Sequence, residues 1–361
     1  MSRPTKVLIV DDSAIVRHLL ATGLSKDPNI EVVGQAADAF IARDMLLKFE
    51  PDVLTLDIEM PRIDGLSFLK RIMEHRPTAT IIVSSISQDG SSASLEALRL
   101  GAAAVFAKPG GPQAVGQLVE DLKRCIAELR MTGFKLRKPA AQTASPAQAP
   151  ATTTVKLGPP AQHLLIAIGA STGGTQAIES LVTRLPQGMP PIVITQHMPP
   201  GFTKRFAERL NDVSHHRVVE GQAGDVLRAG SIYIAPGGHH MVVERNGLEL
   251  RLGLTNSAPV HFQRPAVDVL FQSVANLRSQ PAIGVVLTGM GQDGADGLLA
   301  MRKAGATTFA EDEQSCVVFG MPKEAIARGG VTDVVTLWQM PQALVAALER
   351  PAASSRARTV A

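Results

Sequence analysis

At 361 residues, 45% hydrophobic and 19% charged, the chain is too long for one ordinary core and has the composition of globular domains rather than of a disordered or fibrous protein. The net charge of +3 does not mark a nucleic-acid binder: residues 1–130 hold 15 Lys and Arg against 17 Asp and Glu, and residues 162–350 hold 15 against 16. The remaining six basic residues fall in 131–161 and 351–361, so with aromatics at 4% no domain keeps a basic face and no nucleic-acid partner is expected.

Short β-rich apolar runs alternate with amphipathic ones from the N-terminus. Strands are expected at Lys6–Val10, Glu31–Ala36, Val53–Leu56, Thr80–Val83 and Ala103–Ala107. Helical spacing occupies Ala14–Leu24, Ala39–Lys48, Leu66–His75, Ser92–Leu100 and Ala114–Leu129. This alternation predicts an α/β fold with a doubly wound parallel sheet over 1–130. From Lys138 the text reads KPAAQTASPAQAPATTTVKLGPP, which lacks large apolar residues and any period, so 131–161 is expected to be a flexible linker. Such a segment reaches roughly 30 Å and lets two domains touch or separate. A second α/β domain is expected over 162–350, with strands near 163–169, 192–196, 231–235, 283–288 and 306–309. Within it MVVERNGLELRLGL, 241–254, reads as a β-hairpin turning at Asn246-Gly247. Residues 351–361 read as a disordered tail.

Cys125 and Cys316 are too few for a disulfide framework and lack metal-ligand spacing, so both are expected to be reduced. Apolar runs such as HLLIAIGA fall short of the ~20 residues a membrane span needs. MSRPTKVLIVDDS turns acidic too soon for a signal peptide. A cytoplasmic chain without direct membrane insertion is expected.

Ligands of open parallel sheets bind beyond the carboxyl ends of the strands. In the first domain those ends carry Asp11-Asp12, Asp57, Ser84-Ser85 and Lys108-Pro109. Converging carboxylates repel unless a cation joins them, and Mg²⁺ takes oxygen ligands while leaving positions open for a phosphoryl group. Asp57 is then a candidate phosphoryl acceptor, with Asp11 and Asp12 holding the metal and Ser84 and Lys108 meeting the phosphoryl oxygens. Taken singly, each aspartate reads more readily as a strand-end cap or turn former; it is the four strand ends together that favour the phosphoryl site. VLIVDDSAIVR, DVLTLDIEMPRIDGLSFL, IIVSS and the Lys108-Pro109 pair resemble the receiver domain of two-component response regulators. The resemblance implies Asp57 as the phosphorylated residue, Mg²⁺ bound by Asp11, Asp12 and Asp57, Ser84 as switch hydroxyl and Lys108 as charge partner. Val105 stands where many receivers carry an aromatic switch residue.

The second domain opens on IAIGASTGGTQAI, and its glycines raise two readings of Ser171: a nucleophile, or one residue of a phosphate-binding loop. GASTGG is neither G-x-G-x-x-G nor a Walker loop, and the next strand ends in Gln196-His197 where a dinucleotide site needs an acid. A nucleophile needs a base and an orienting acid. His197 and Asp293, in TGMGQDGADG, lie at two further strand ends. Ser171, His197 and Asp293 therefore form a candidate triad, with the backbone N–H groups of Thr172 and Met290 as candidate oxyanion donors. Each residue alone also has a structural reading: a helix cap, a buried histidine, a turn former.

IAIGASTGG, ITQHMPPGFTKRFAERL, IYIAPGGHHM, RPAVDVLFQSVA, LTGMGQDGADG and SCVVFGMPKEAI closely resemble the catalytic domain of CheB-type chemotaxis methylesterases. The resemblance places the family's triad on Ser171, His197 and Asp293. It implies hydrolysis of glutamate methyl esters on chemoreceptors with release of methanol, glutamine deamidation, and phosphorylation by the chemotaxis histidine kinase. Methylated chemoreceptors and that kinase are thus the expected partners. Mg²⁺ is expected for the receiver and no cofactor for ester hydrolysis. An unphosphorylated receiver lying over the catalytic cleft would make the enzyme phosphorylation-activated. His239-His240 reads as cleft wall, not a metal site. A non-catalytic effector domain and a hydrolase of small esters remain alternatives.

Overall fold

The structure, a computed structural model, describes residues 3–60, 64–84, 88–108, 112–131, 164–277 and 280–349. Ser85, Pro109, the expected linker beyond Met131 and the expected tail 351–361 lie outside them. The chain divides within residues 132–163 into two compact units.

The first unit alternates β1 (Thr5–Val10), α1 (Ala14–Leu24), β2 (Ile30–Ala36), α2 (Ala39–Phe49) and β3 (Val53–Leu56). It continues through α3 (Gly65–His75), β4 (Ala79–Ser84), α4 (Gln88–Arg99), β5 (Ala104–Ala107) and α5 (Pro112–Met131). The five strands pair in parallel in the order β2-β1-β3-β4-β5, the doubly wound flavodoxin-like arrangement. Helices on both faces explain why the central strands are near-continuous apolar runs: Leu8, Ile9, Leu54, Leu56, Ile81 and Ile82 are fully buried. Burying one such side chain is worth roughly 1.5–3 kcal/mol, so these strands fix the register of the sheet. Polar residues fix the helix starts. Ser13 accepts from Val16 N–H at the head of α1, and Asp38 accepts from Phe40 and Ile41 N–H at the head of α2. The Ser13 cap ends β1 sharply and leaves Asp11 and Asp12 in the turn.

The second unit runs β6 (Leu165–Ala170), α6 (Gly174–Val182), β7 (Ile192–Gln196), α7 (Phe202–Val213), β8 (Arg217–Glu220) and β9 (Ser231–Ile234). After β10 (His240–Asn246) and β11 (Glu249–Thr255) come α8 (Val267–Ala275), β12 (Ala282–Val286), α9 (Ala295–Lys303) and β13 (Thr307–Glu311). The last elements are α10 (Met321–Ala327), β14 (Asp333–Val335) and α11 (Met340–Glu349). Seven parallel strands order as β14-β13-β12-β6-β7-β9-β8. Without the edge strand β8 this is the Rossmann order, and the direction of winding reverses between β6 and β12. The hairpin β10-β11 is a separate antiparallel pair. Its register pairs Asn246 with Glu249, so the turn is Gly247-Leu248, one residue beyond the expected centre. Gly247 takes φ +62, as a tight hairpin turn requires.

β8 and β14 were not foreseen from the sequence. The short edge strand β14 carries no fully buried residue and β8 only one, so neither shows a hydrophobic pattern. Cys125 and Cys316 are free and buried, as expected for reduced thiols. Among the described residues no helix is long and apolar enough to cross a membrane.

Candidate active site

Ser171 follows β6 directly, His197 follows β7, and Asp293 ends the loop between β12 and α9. These three strands are adjacent, and the loops gather at the point where the winding reverses. The chain turns from β6 into α6 through Gly173 at φ +78, where an added Cβ would lie 2.5 Å from the Val317 side chain. That position excludes any other residue and presents Ser171 at the lip of the sheet.

The structure joins the three residues in one hydrogen-bonded chain. His197 Nδ1 lies 3.1 Å from Ser171 Oγ, and His197 Nε2 lies 2.7 Å from Asp293 Oδ2. A carboxylate accepts, so Nε2 carries the proton and Nδ1 is free to accept from the hydroxyl. The imidazole therefore faces the serine with Nδ1, opposite to the usual serine-hydrolase triad, in which Nε2 does so. Burial alone would raise the Asp293 pKa, but the His197 hydrogen bond and charge and the N–H groups of Asp268 and Val267 outweigh it and hold the carboxyl below its usual range. Those N–H groups donate at 2.8 and 2.7 Å and belong to the first turn of α8, whose positive end adds to the effect.

The Ser171 backbone is pinned from several sides. Its N–H donates to Thr288 O at 3.1 Å, and its carbonyl accepts from Gly174 N–H at 2.7 Å and from Gln196 Nε2 at 2.9 Å. Gln196 Nε2 also donates to His197 O, so one amide ties the nucleophile turn to the base. In a trans peptide the N–H opposes the C=O, so the Thr172 N–H points away from Gln196. Neither the Thr172 nor the Met290 N–H donates to another group among the described residues. The loop carrying Met290 adjoins the nucleophile: a Cβ on Gly289 would lie 3.0 Å from Ser171 N. Both candidate oxyanion N–H groups are thus without an acceptor among the described residues.

The sequence reading missed Gln196 as a clip, the cap of Asp293 by α8, and the ring orientation of His197. Only Gln196 had left a signal, as an amide standing where an acid was sought. His240 also differs from expectation. It is fully buried, accepting from Ala266 N–H on Nδ1 at 3.1 Å and donating from Nε2 to Ala258 O at 3.1 Å. It therefore braces the entry to α8 rather than walling a cleft, and burial lowers its pKa. His261, Asp268 and Asp293 bring ligand-type atoms within 4.8 Å of one another. Here His261 Nε2 is engaged by Asp268 at 2.9 Å and both Asp293 oxygens are taken, so the group is a hydrogen-bond network.

In the first unit Asp11, Asp12 and Asp57 bring carboxylate oxygens within 4.8 Å of one another at the ends of β1 and β3. Lys108 Nζ, beyond β5, lies 2.8 Å from Asp57 Oδ2 and 3.0 Å from Asp11 Oδ2. Burial pushes the Asp11 carboxyl above its usual range despite Lys108. Burial also works against the Lys108 charge, but the hydrogen bond it donates to Asp57 and the charges of the two carboxylates raise its pKa overall. One ammonium does not balance three carboxylates, so this oxygen-only set suits a hard divalent cation. Ser84 closes β4, where its carbonyl accepts the Lys108 N–H at 2.7 Å, and its buried hydroxyl has no hydrogen-bond partner among the described residues. Val105 is buried within β5.

The sequence profile of the CheB methylesterase family matches residues 166–344, and that of the response regulator receiver domain matches residues 7–120. A protein-glutamate methylesterase/protein-glutamine glutaminase of Salmonella typhi is 46% identical over 347 residues, spanning 94% of this chain and 96% of its own length. One from Chromohalobacter salexigens is 46% identical over 364 residues and 99% of each chain. The crystallised catalytic domain of Thermotoga maritima CheB methylesterase is 38% identical over 50% of this chain and 97% of its own, at a TM-score of 0.49. With 46% identity over 94–99% of the chain, and the receiver match preceding the esterase match, the chain belongs to the CheB methylesterase family, in the form that carries a receiver domain ahead of the esterase.

Proposed function

We propose that the chain hydrolyses glutamate methyl esters on chemoreceptors, releasing methanol, and deamidates receptor glutamines at the same site, under the control of phosphorylation at Asp57. The hydrogen-bonded chain from Ser171 through His197 to Asp293 carries this reading. The names of its relatives, protein-glutamate methylesterase/protein-glutamine glutaminase, supply the substrate class.

Ser171 Oγ attacks the ester carbonyl while His197 Nδ1 takes its proton. Asp293, held by α8 and ionised, stabilises the imidazolium and keeps the ring in register. The tetrahedral oxygen takes its negative charge beside the Thr172 and Met290 N–H groups, donors already fixed before reaction. His197 Nδ1–H then protonates the departing methoxide, and methanol leaves. Water, deprotonated by the same nitrogen, attacks the acyl-serine and releases the glutamate carboxylate and the serine hydroxyl. Ammonia replaces methanol as leaving group when the substrate is a glutamine.

In the receiver, Asp11, Asp12 and Asp57 would hold Mg²⁺, which when bound neutralises charge on the carboxylates and on an incoming phosphoryl group. Asp57 is the phosphoryl acceptor, and the ammonium of Lys108, which bridges Asp57 and Asp11, is placed to pair with the new phosphoryl charge. A chemotaxis histidine kinase is the phosphodonor, and Ser84 the hydroxyl that follows the phosphoryl group.

Methanol release from methylated receptor membranes, with and without a phosphodonor, tests the reading. The full chain should release methanol, faster with the phosphodonor, and Ser171→Ala should release none while unfolding at the same temperature. Turnover retained in Ser171→Ala would remove the triad; free glutamate methyl ester hydrolysed as fast as receptor would favour a small-ester hydrolase.

A further inference from the structure

Glu311 closes β13 and is completely buried, yet nothing in the chemistry above uses it. Its Oε2 accepts the Thr288 N–H at 2.8 Å, and its Oε1 is buried without a close hydrogen-bond partner among the described residues. Thr288 is the residue on which the nucleophile turn hangs. Its carbonyl accepts the Ser171 N–H, its hydroxyl donates to Thr172 O at 3.0 Å, and that hydroxyl accepts from Val318 N–H at 2.9 Å. Thr288 thus fixes the peptides on both sides of the Ser171–Thr172 peptide, whose N–H is a candidate oxyanion donor. The route runs across adjacent strand ends, from Glu311 on β13 to Thr288 after β12 to Ser171 after β6.

We propose that Glu311 is a positioning residue for the hydrolysis, holding Thr288 so that Ser171 and the Thr172 N–H keep their geometry, and that it does so as an uncharged carboxylic acid. This rests on the hydrolase reading above. A carboxylate there would be a charge in a fully buried position, with one oxygen lacking a close hydrogen-bond partner among the described residues. Of the titratable groups that face it, Asp312 opposes a further negative charge, whereas the Cys316 thiol, like the Thr288 N–H and the Ser315 hydroxyl, favours one, and burial outweighs these donors. Burial, the largest influence, accordingly raises its pKa to about 7. Ionised, Glu311 would put negative charge beneath the loop where the tetrahedral intermediate gains its own, so the transition state would be penalised.

The test measures kcat and KM for methanol release from methylated receptor membranes by the full chain, Glu311→Gln and Glu311→Ala. Glutamine keeps an oxygen for the Thr288 N–H and cannot ionise. Glu311→Ala should lower kcat at least about tenfold with little change in KM, as loss of transition-state geometry does. Glu311→Gln should restore kcat to within about threefold of the parent near pH 6, and its advantage should grow at least about fivefold by pH 9. Should Glu311→Ala fail to fold, the glutamine profile decides alone. A ratio of glutamine variant to parent that stays flat with pH overturns the uncharged-acid role, and an alanine variant with parental kcat overturns the positioning role. A parent that releases no methanol overturns the hydrolase reading, and the role of Glu311 with it.

Discussion

The buried acid that supports the nucleophile should also make the second unit lose stability as pH rises. A carboxyl whose folded pKa lies above its unfolded value stabilises the fold fully below the unfolded value and loses that contribution as pH passes the folded one. For Glu311 the two values are 4.5 and about 7. The gap, at about 1.4 kcal/mol per pH unit, amounts to roughly 3 kcal/mol, most of it lost between about pH 5 and pH 8. Glu311→Gln removes the titration and keeps the shape, so the difference between variant and parent isolates it. The assay is urea unfolding at 25 °C followed by tryptophan emission. The chain has one tryptophan, Trp338, stacked 4.8 Å from the Arg184 guanidinium in the second unit, so the signal reports that unit alone. The glutamine variant should gain roughly 2–3 kcal/mol on the parent from pH 5 to pH 8. A difference that does not change with pH would refute the burial argument, because it would mean that Glu311 titrates alike in the folded and unfolded chain.

Asp293→Asn should lower kcat by roughly 10³–10⁴-fold, because a neutral amide neither fixes the His197 tautomer nor stabilises its cation; methanol release measures it. The same variant should lose stability, since the amide nitrogen would face N–H groups of Val267, Asp268 or His197, and chemical denaturation would register that. Gln196→Leu should cut kcat by roughly tenfold at unchanged KM, since it frees the carbonyls of Ser171 and His197 while leaving the triad side chains in place. Asp57→Asn should abolish acceleration by a small phosphodonor, measured against the unphosphorylated rate of the same variant.

The sheets were legible because strands buried on both faces must be apolar at nearly every position. Val53–Leu56 and Ile192–Gln196 stand at the boundaries read from sequence for that reason. α4 begins at Gln88 rather than Ser92 because its first turn, QDGS, is polar and carries no helical spacing. β8 and β14 depend on hydrogen bonds to one neighbour, which no residue pattern announces. Strand-end chemistry was legible in part: Ser171, His197 and Asp293 meet, and Asp11, Asp12, Asp57 and Lys108 meet, because parallel strands deliver their last residues to one edge. The supporting groups were not. Glu311 sits in FAEDEQ, a stretch that reads as solvated, and a fully buried glutamate is rare enough that sequence favours the surface. The facing of the His197 ring depends on how β7 and β12 sit beside β6, which is tertiary information.

The two clusters of strand-end acids differ in a way that matches what each is proposed to do. Asp11 and Asp293 are equally buried, each 1% exposed, and burial is the largest influence on both. Yet Asp11 is pushed above its ordinary range and Asp293 is held below it. The difference lies in their partners. Asp293 collects two peptide N–H groups from the head of α8 and an imidazole N–H, a complete set of donors. Asp11 has the Ser13 N–H and a lysine shared with Asp57, beside acids that repel it. Asp293 is compensated before any substrate arrives, so in the proposed triad its charge would cost no reorganisation during reaction. The receiver acids are left short of positive charge, so under the proposed reading their state would respond to a cation and a phosphoryl group. A preorganised site and an incompletely compensated one, built on the same strand-end geometry, are what a catalyst and a switch respectively require.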